Sequence, residues 1–224
     1  MDSYSLLLYT HLLLFVYWLG ADVGVFGLAL GLKNSAYSCE QRILMMRLSL
    51  KFDMVPRMAM IAVSPVGLHL ASRSGLVVVP DWLFIVIWLL AVVWMIGEWL
   101  AYRRMGKPEA VRFYIANGII MLIACFGWLG YGVASIINGN PFLEPWLAVK
   151  VMLAGAVFLV STMMAVFYAP IEAILQQMEA EGASIEIEAR LRKQVNRGAF
   201  WTVLLFVLLA TIGFLGLAKP IIAV

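Results

Sequence analysis

The chain contains two histidines, His11 and His69, and both lie in apolar stretches long enough to cross a lipid bilayer. An ionisable side chain inside a membrane span usually marks a site, because hydrocarbon solvates charge poorly. Two imidazoles at equal depth on neighbouring helices are a ligand set that suits a haem b held between those helices. The first expectation is therefore an iron site with His11 and His69 as its axial ligands.

The composition indicates that a membrane surrounds these residues. Of the 224 residues, 64% are hydrophobic and 13% are charged, and the mean hydropathy is +0.96. Soluble domains are roughly 45–50% apolar and about 25% charged. The basic residues are grouped in the connections between apolar runs, which is typical of a topology signal. We therefore expect an integral membrane protein in a lipid bilayer, with no nucleic-acid partner.

Six apolar runs of about 20 residues predict six transmembrane helices in one domain that covers residues 1–224. The runs are residues 6–31, 57–72, 82–102, 113–137, 145–168 and 199–218. The polar stretch 172–197 is rich in helix-forming residues, so we expect a cytoplasmic helical segment there, broken near Gly182. The predicted fold class is an all-α integral membrane protein.

The distribution of positive charge orients these helices. Thirteen of the sixteen Lys and Arg residues follow the first span, follow the third span or precede the sixth span. Because cytoplasmic connections carry an excess of Lys and Arg, these segments are predicted to be cytoplasmic and both termini to lie outside. The expected location is the bacterial inner (cytoplasmic) membrane, which the chain crosses six times.

The first two spans and the last two spans share an order of segments. Each pair has an apolar run, a polar connection and a second apolar run, with a glycine late in the second run at Gly67 and at Gly213. Both pairs cross the membrane in the same sense, so a duplication would be a parallel repeat. Apolar helices also resemble one another by composition alone, and both interpretations stay open.

The histidines fall at matching depths in this topology. With a rise of 1.5 Å per residue, His11 lies about 7 Å and His69 about 5 Å below the outer face. Lys150, one turn after Trp146 at the mouth of the fifth span, lies at the same level. There Lys150, or Arg73 at the end of the second span, would bind a haem propionate. The alternative for Lys150 is that its ammonium simply reaches water at the helix end.

Two further residues share the face of His11. Trp18 and Asp22 follow His11 by seven and eleven residues, which returns them to within about 20° of its direction. Trp18 is therefore expected beside the cofactor. Asp22 and Arg57, at similar depths on adjacent helices, are expected to form an ion pair. That pair would act as a structural clamp or as one step of a proton path.

Three stretches resemble a known family of membrane proteins. They are His11-Leu-Leu-Leu-Phe-Val-Tyr-Trp18-Leu-Gly20, Arg42-Ile-Leu-Met-Met-Arg47 followed by Pro56 and Gly67, and Trp146-Leu-Ala-Val-Lys150. They resemble three helices of the HemJ-type membrane protoporphyrinogen oxidases, and the copper-resistance D family shares this helix pattern. The resemblance implies haem b with an axial ligand at His11 and a functional role for Lys150.

Three functional interpretations follow from these residues. The leading one is a haem b-binding protein that transfers electrons between the quinone pool and a membrane or periplasmic redox subunit on the outer side. The second is an enzyme that oxidises a porphyrinogen in the same pocket, with Lys150 bound to a substrate carboxylate. The third is a non-redox permease or a structural subunit of a membrane complex, in which Asp22 and Arg57 are the functional pair.

Overall fold

Eight helices form the fold. The computed structural model describes residues 2–107, 109–139 and 141–221, and the helices in these ranges are α1 (Ser3–Gly31), α2 (Cys39–Phe52), α3 (Met54–Arg73), α4 (Asp81–Arg103), α5 (Ala110–Asn138), α6 (Pro145–Tyr168), α7 (Pro170–Glu181) and α8 (Ile185–Ala218). Helix α2 continues almost directly into α3, and α6 into α7. The described ranges thus contain six helical segments long and apolar enough to span a membrane. The chain is an all-α, multi-pass membrane protein, as the sequence predicts.

The six spanning helices form a closed ring. Contacts join α1 to α3, α3 to α4, α4 to α5, α5 to α6, α6 to α8, and α8 back to α1. Side chains from every one of these helices meet in one buried cluster, which includes Trp18, Ile61, Ala91, Cys125, Phe158 and Leu209. Because lipid is as apolar as these side chains, close packing rather than hydrophobic burial holds such helices together. The ring brings the first and last spans into contact.

A polar layer covers one end of the ring. Helices α2 and α7 pack together there, and the first half of α8 joins them around a second cluster that includes Leu32, Leu175, Leu191 and Val195. We call this end, which carries thirteen of the sixteen Lys and Arg residues, the cationic end. The opposite end, which carries His11 and Lys150, is the histidine end.

Local sequence signals begin and end the helices of the cationic end. The Ser38 side chain accepts the backbone N–H of Gln41, whose own side chain accepts the N–H of Ser38, so both free donors at the start of α2 are satisfied. Ser184 caps α8 in the same way through Ile187. Gly182 ends α7 with a φ of 84°, a conformation that glycine adopts readily. The sequence predicts a break at this glycine.

The helices extend beyond the apolar runs that predict them. Helix α8 begins at Ile185 and continues without interruption through the predicted sixth span, residues 199–218. Helix α3 includes the predicted second span, residues 57–72, and follows α2 with a single residue between them. A helix does not end at the edge of the hydrocarbon, because its backbone hydrogen bonds continue into water wherever residues of good helix propensity follow.

Glycine allows the backbones of α5 and α6 to approach closely. A Cβ added at Gly155 of α6 would lie 2.8 Å from the carbonyl oxygen of Cys125 and 2.8 Å from the backbone nitrogen of Leu129, both in α5. Backbone atoms cannot rotate away as a side chain does, so any larger residue would separate the two helices. Small residues at such crossings are a general feature of membrane helix pairs.

The first prediction concerns this crossing. Gly155→Ala should lower the melting temperature of the purified protein, since the added methyl group would meet the α5 backbone and overpacking costs about 1–3 kcal/mol. Gly127→Ala, on α5, is the matched control, because nothing lies within 4 Å of its added Cβ. The control should melt at or above the wild-type temperature, as alanine favours helix. Equal melting of the two variants would contradict the crossing.

Candidate functional site at the histidine end

His11 lies on the face of α1 that packs against α3. The two helices run antiparallel, so the start of α1 meets the end of α3. A Cβ added at Gly67 would lie 3.0 Å from Cε1 of His11, which is closer than side chains normally approach. Glycine at this position therefore lets the imidazole rest directly on the α3 backbone.

One nitrogen of this imidazole lacks a partner. Nδ1 of His11 is buried and has no hydrogen bond with any described residue, although the Val63 carbonyl lies beside the ring. Most buried polar atoms in proteins are hydrogen-bonded, because an unpaired one costs roughly 1–3 kcal/mol. Nδ1 is enclosed by protein, 3.4 Å from a Cβ added at Gly67, so a ligand of this imidazole would have to bind at Nε2.

Lys150 approaches the same region from α6. Its Nζ would lie 2.6 Å from a Cβ added at Gly216, so the ammonium rests on α8 much as the imidazole rests on α3. Lys150 lies within electrostatic reach of the His11 imidazole. In the described ranges it forms neither an ion pair nor a hydrogen bond. Phe15 packs on Gly213 of α8 and joins α1 to that helix.

These residues define one site, which we call the His11–Lys150 site: the two side chains and the glycines beneath them, Gly67 and Gly216. It offers an imidazole, which ligates iron, and an ammonium, which binds carboxylates. Neither is paired with an acidic side chain in the described part of the chain. A cation in a membrane segment is costly unless it reaches water or an anion. The site therefore suits an anionic group that carries a metal.

His69 lies on another face of α3. Its ring stacks on Phe84 of α4 with the ring centroids 3.9 Å apart, and Trp88 is 6.4 Å away. Since Gly67 and His69 are two residues apart, they point about 200° apart around the helix. The structure does not bring the two imidazoles together. The sequence predicts a shared ligand from equal depth in the membrane, but depth does not fix the rotation of each helix about its axis. His11, rather than His69, is the histidine that packs against Gly67.

Two other predicted cofactor residues are placed away from Lys150. Arg73, at the end of α3, is exposed and acts electrostatically on His69. Trp18 is 8% exposed and belongs to the central cluster of the ring, about two helical turns from His11. Trp18 does share the inward face of α1 with His11, as its spacing predicts. Of the three predicted cofactor residues, Lys150 is the one that the structure sets beside His11.

Arg57 pairs with partners other than the predicted one. Its guanidinium donates to Asp53, one turn earlier, and to Glu98 of α4, with 3.0 Å between Nη1 and Oε2. The expected Asp22–Arg57 ion pair is therefore corrected. Asp53 is the nearer partner because residues four apart on a helix are neighbours, and Glu98 arrives because α4 packs on α3.

Asp22 remains part of the same polar cluster. Its side chain is 6% exposed, and it lies near Arg57 and Asp53 without meeting either within ion-pair distance. One arginine thus stands among three carboxylates, those of Asp22, Asp53 and Glu98. Asp53 and Glu98 were not predicted as partners of Arg57. The four-residue spacing from Asp53 to Arg57 does indicate that pair, because residues four apart on a helix are neighbours.

The described residues contain no purely protein-built metal site. No group of three or more His, Cys, Asp or Glu side chains in residues 2–107, 109–139 and 141–221 is arranged to hold a metal ion. The two cysteines, Cys39 and Cys125, are free thiols. A haem iron differs from such a site, because the porphyrin supplies most of its ligands and the protein adds one or two.

Comparisons of the chain with protein-family models, with curated proteins and with solved structures find no match. The fold and the site define the class: a six-span α-helical membrane protein whose described residues provide no hydrogen bond to Nδ1 of His11 and no ion pair to Lys150 at one end.

The second prediction concerns the cluster around Arg57. Arg57→Gln should lower the melting temperature, because it leaves the Glu98 carboxylate buried without its cation, at roughly 1–3 kcal/mol. The double variant Arg57→Gln, Glu98→Gln should recover part of that loss, since no unpaired charge then remains at position 98. Arg104→Gln is the control, because Arg104 lies over the Phe113 ring and has no acidic partner in the described residues. A double variant that melts below Arg57→Gln would contradict the Arg57–Glu98 ion pair.

Proposed function

We propose that this chain binds haem b, with His11 as an axial ligand and Lys150 as the partner of a porphyrin carboxylate. The observation that supports the proposal is an imidazole on a membrane helix whose Nδ1 side rests on Gly67, within electrostatic reach of an ammonium that has no ion pair in the described residues. Haem, when bound, supplies one-electron redox chemistry. The chain's own residues would orient the imidazole against Gly67 and hold a positive charge on Gly216.

In the leading form of this proposal the protein transfers electrons at the histidine end. Donor and acceptor would be the quinone pool and a membrane or periplasmic redox subunit. The location would be the bacterial inner membrane, with both termini outside. The clustering of thirteen Lys and Arg residues at the cationic end supports this orientation, because such residues are retained on the cytoplasmic side.

A second candidate activity is porphyrinogen oxidation. It is favoured by the proximity of His11 and Lys150, the two residues to which the resemblance to the HemJ-type oxidases assigns a role. Lys150 would bind a substrate carboxylate by a charge-assisted hydrogen bond. Rescue of a haem-auxotrophic strain that lacks protoporphyrinogen oxidase separates the candidates: an enzyme restores growth, whereas an electron carrier does not.

The third prediction tests the cofactor. The wild-type protein, purified after expression with a haem supply, should show a reduced-minus-oxidised haem b spectrum. His11→Ala should lose most of that absorption, because the imidazole that faces the site is gone. His69→Ala is the matched control, since His69 lies at a similar depth but stacks on Phe84. A colourless wild-type protein, or equal loss in both variants, rules out the proposal and favours the non-redox class.

The fourth prediction concerns Lys150. Lys150→Met keeps the length of the side chain and removes its charge, so haem should bind roughly tenfold or more weakly, the usual effect of losing a hydrogen bond to a charged group. Lys150→Arg should largely retain affinity. Lys219→Met is the control, because Lys219 lies exposed at the same end of the bundle. Equal haem affinity for Lys150→Met and wild type means that the ammonium merely reaches water.

A further inference from the structure

A groove runs along the exposed face of α8 at the cationic end. It is open to the outside and has a volume of about 1120 Å³. Its lining residues repeat every three to four positions along α8, so they form one stripe of the helix. Beyond α8, the lining comes from Phe167 at the end of α6 and from Ala183 and Ser184, just before α8 begins.

The groove carries positive charge that the chain does not neutralise. Arg192, Lys193 and Arg197 line it, all three are exposed, and none of them forms an ion pair or hydrogen bond with a described residue. The one acidic side chain in the lining, Glu188, is already held by Arg42 at 2.9 Å. The groove therefore presents a surplus of cations to whatever occupies it.

Aromatic side chains follow these cations within one turn of α8. Trp201 stacks on Phe167 with centroids 6.1 Å apart, and Phe200 meets the Trp201 ring edge-on and is 65% exposed. Aromatic side chains are enriched where a membrane meets water. Arg197 lies one turn before Trp201, so the cations stand at the depth of lipid headgroups and the rings at the start of the acyl chains.

The neighbouring contacts hold the groove rigid. Gln194 donates to the Phe167 carbonyl at 2.6 Å, and the Tyr168 hydroxyl lies 3.1 Å from that of Thr202. Gly198 sits against the Tyr168 ring, where a Cβ would approach within 2.5 Å. These contacts hold the backbone of α8 against the end of α6, where the cations and the rings lie on the same stripe of the helix.

We propose that this groove binds the headgroup of an anionic phospholipid, with the phosphate on Arg192, Lys193 and Arg197 and the acyl chains along Phe200. The order of the lining, cationic and then aromatic toward the apolar half of α8, is the order in which a phospholipid presents its own groups. A packed protein helix would instead need an apolar stripe along the whole face. The proposal is independent of haem binding at the opposite end.

The experiment compares lipid binding to the full-length protein by native mass spectrometry. The protein, purified in detergent, is titrated with phosphatidylglycerol and, separately, with phosphatidylcholine. Wild type should retain phosphatidylglycerol preferentially. The triple variant Arg192→Gln, Lys193→Gln, Arg197→Gln should lose that preference by roughly tenfold or more, because each cation near an anionic headgroup contributes to its binding.

The matched control removes the same charge from the same end of the bundle. The triple variant Arg103→Gln, Arg104→Gln, Lys107→Gln should keep the wild-type preference, since Arg103 and Arg104 lie over the Trp99 and Phe113 rings, outside the groove. Equal loss in both triple variants means that only overall charge attracts lipid and overturns the proposal. An absence of preference in wild type overturns it as well.

Two further measurements distinguish a phospholipid from other possible occupants of the groove. Inorganic phosphate is titrated alone; adducts of phosphate without lipid selectivity would show an anion site rather than a lipid site. The mass of the intact assembly is recorded, and a dimer that the groove variant dissociates would assign this face to a second copy of the chain. If the groove variant does not fold, the single variants Arg192→Gln, Lys193→Gln and Arg197→Gln are each compared with Arg103→Gln; the proposal is overturned if none of them weakens the preference for phosphatidylglycerol more than Arg103→Gln does.

Discussion

Hydrocarbon supplies no hydrogen bonds, so each polar side chain that this chain places within the bilayer needs a partner from the protein, from water or from a ligand. At the cationic end the protein supplies it: Arg57 lies between Asp53 and Glu98, and Arg42 meets Glu188. At the histidine end the described residues supply none for Lys150 or for Nδ1 of His11. Lys150 and Nδ1 of His11 therefore differ from Arg57 and Arg42, whose charges the described residues neutralise.

The two halves of the chain place their unpaired groups in similar ways. Helices α1, α2 and α3 have the order long, short, long, and α6, α7 and α8 repeat it. In each half a polar residue of the first long helix rests on a glycine late in the last: His11 on Gly67, and Lys150 on Gly216. The ring then sets α1 beside α8, so the two groups converge. The correspondence is one of helix order and not of residue position, because the glycine that matches Gly67 in the repeat is Gly213, on which Phe15 packs.

The sequence predicts the quantities that hydropathy and helix rise control. Six spans, the polar segment after α6 and the break at Gly182 follow from composition. Rotation about the helix axis and the choice of neighbouring helix do not follow. His69 shows the first failure, because its depth matches but its ring turns to Phe84 of α4. Glu98 shows the second failure, the choice of neighbouring helix, because it meets Arg57 only where α4 packs on α3.

The placement of His69 also bears on which haem chemistry suits the site. Two imidazoles on one iron fill both axial positions, an arrangement suited to electron transfer alone, whereas one imidazole leaves a position for another ligand. With His69 stacked on α4, the described residues bring a single imidazole to the glycines of the His11–Lys150 site. The ammonium of Lys150 would serve either activity, because a haem propionate and a substrate carboxylate are both anions that it can bind. The number of imidazoles at the site, rather than the ammonium, is therefore what separates the two forms of the proposal.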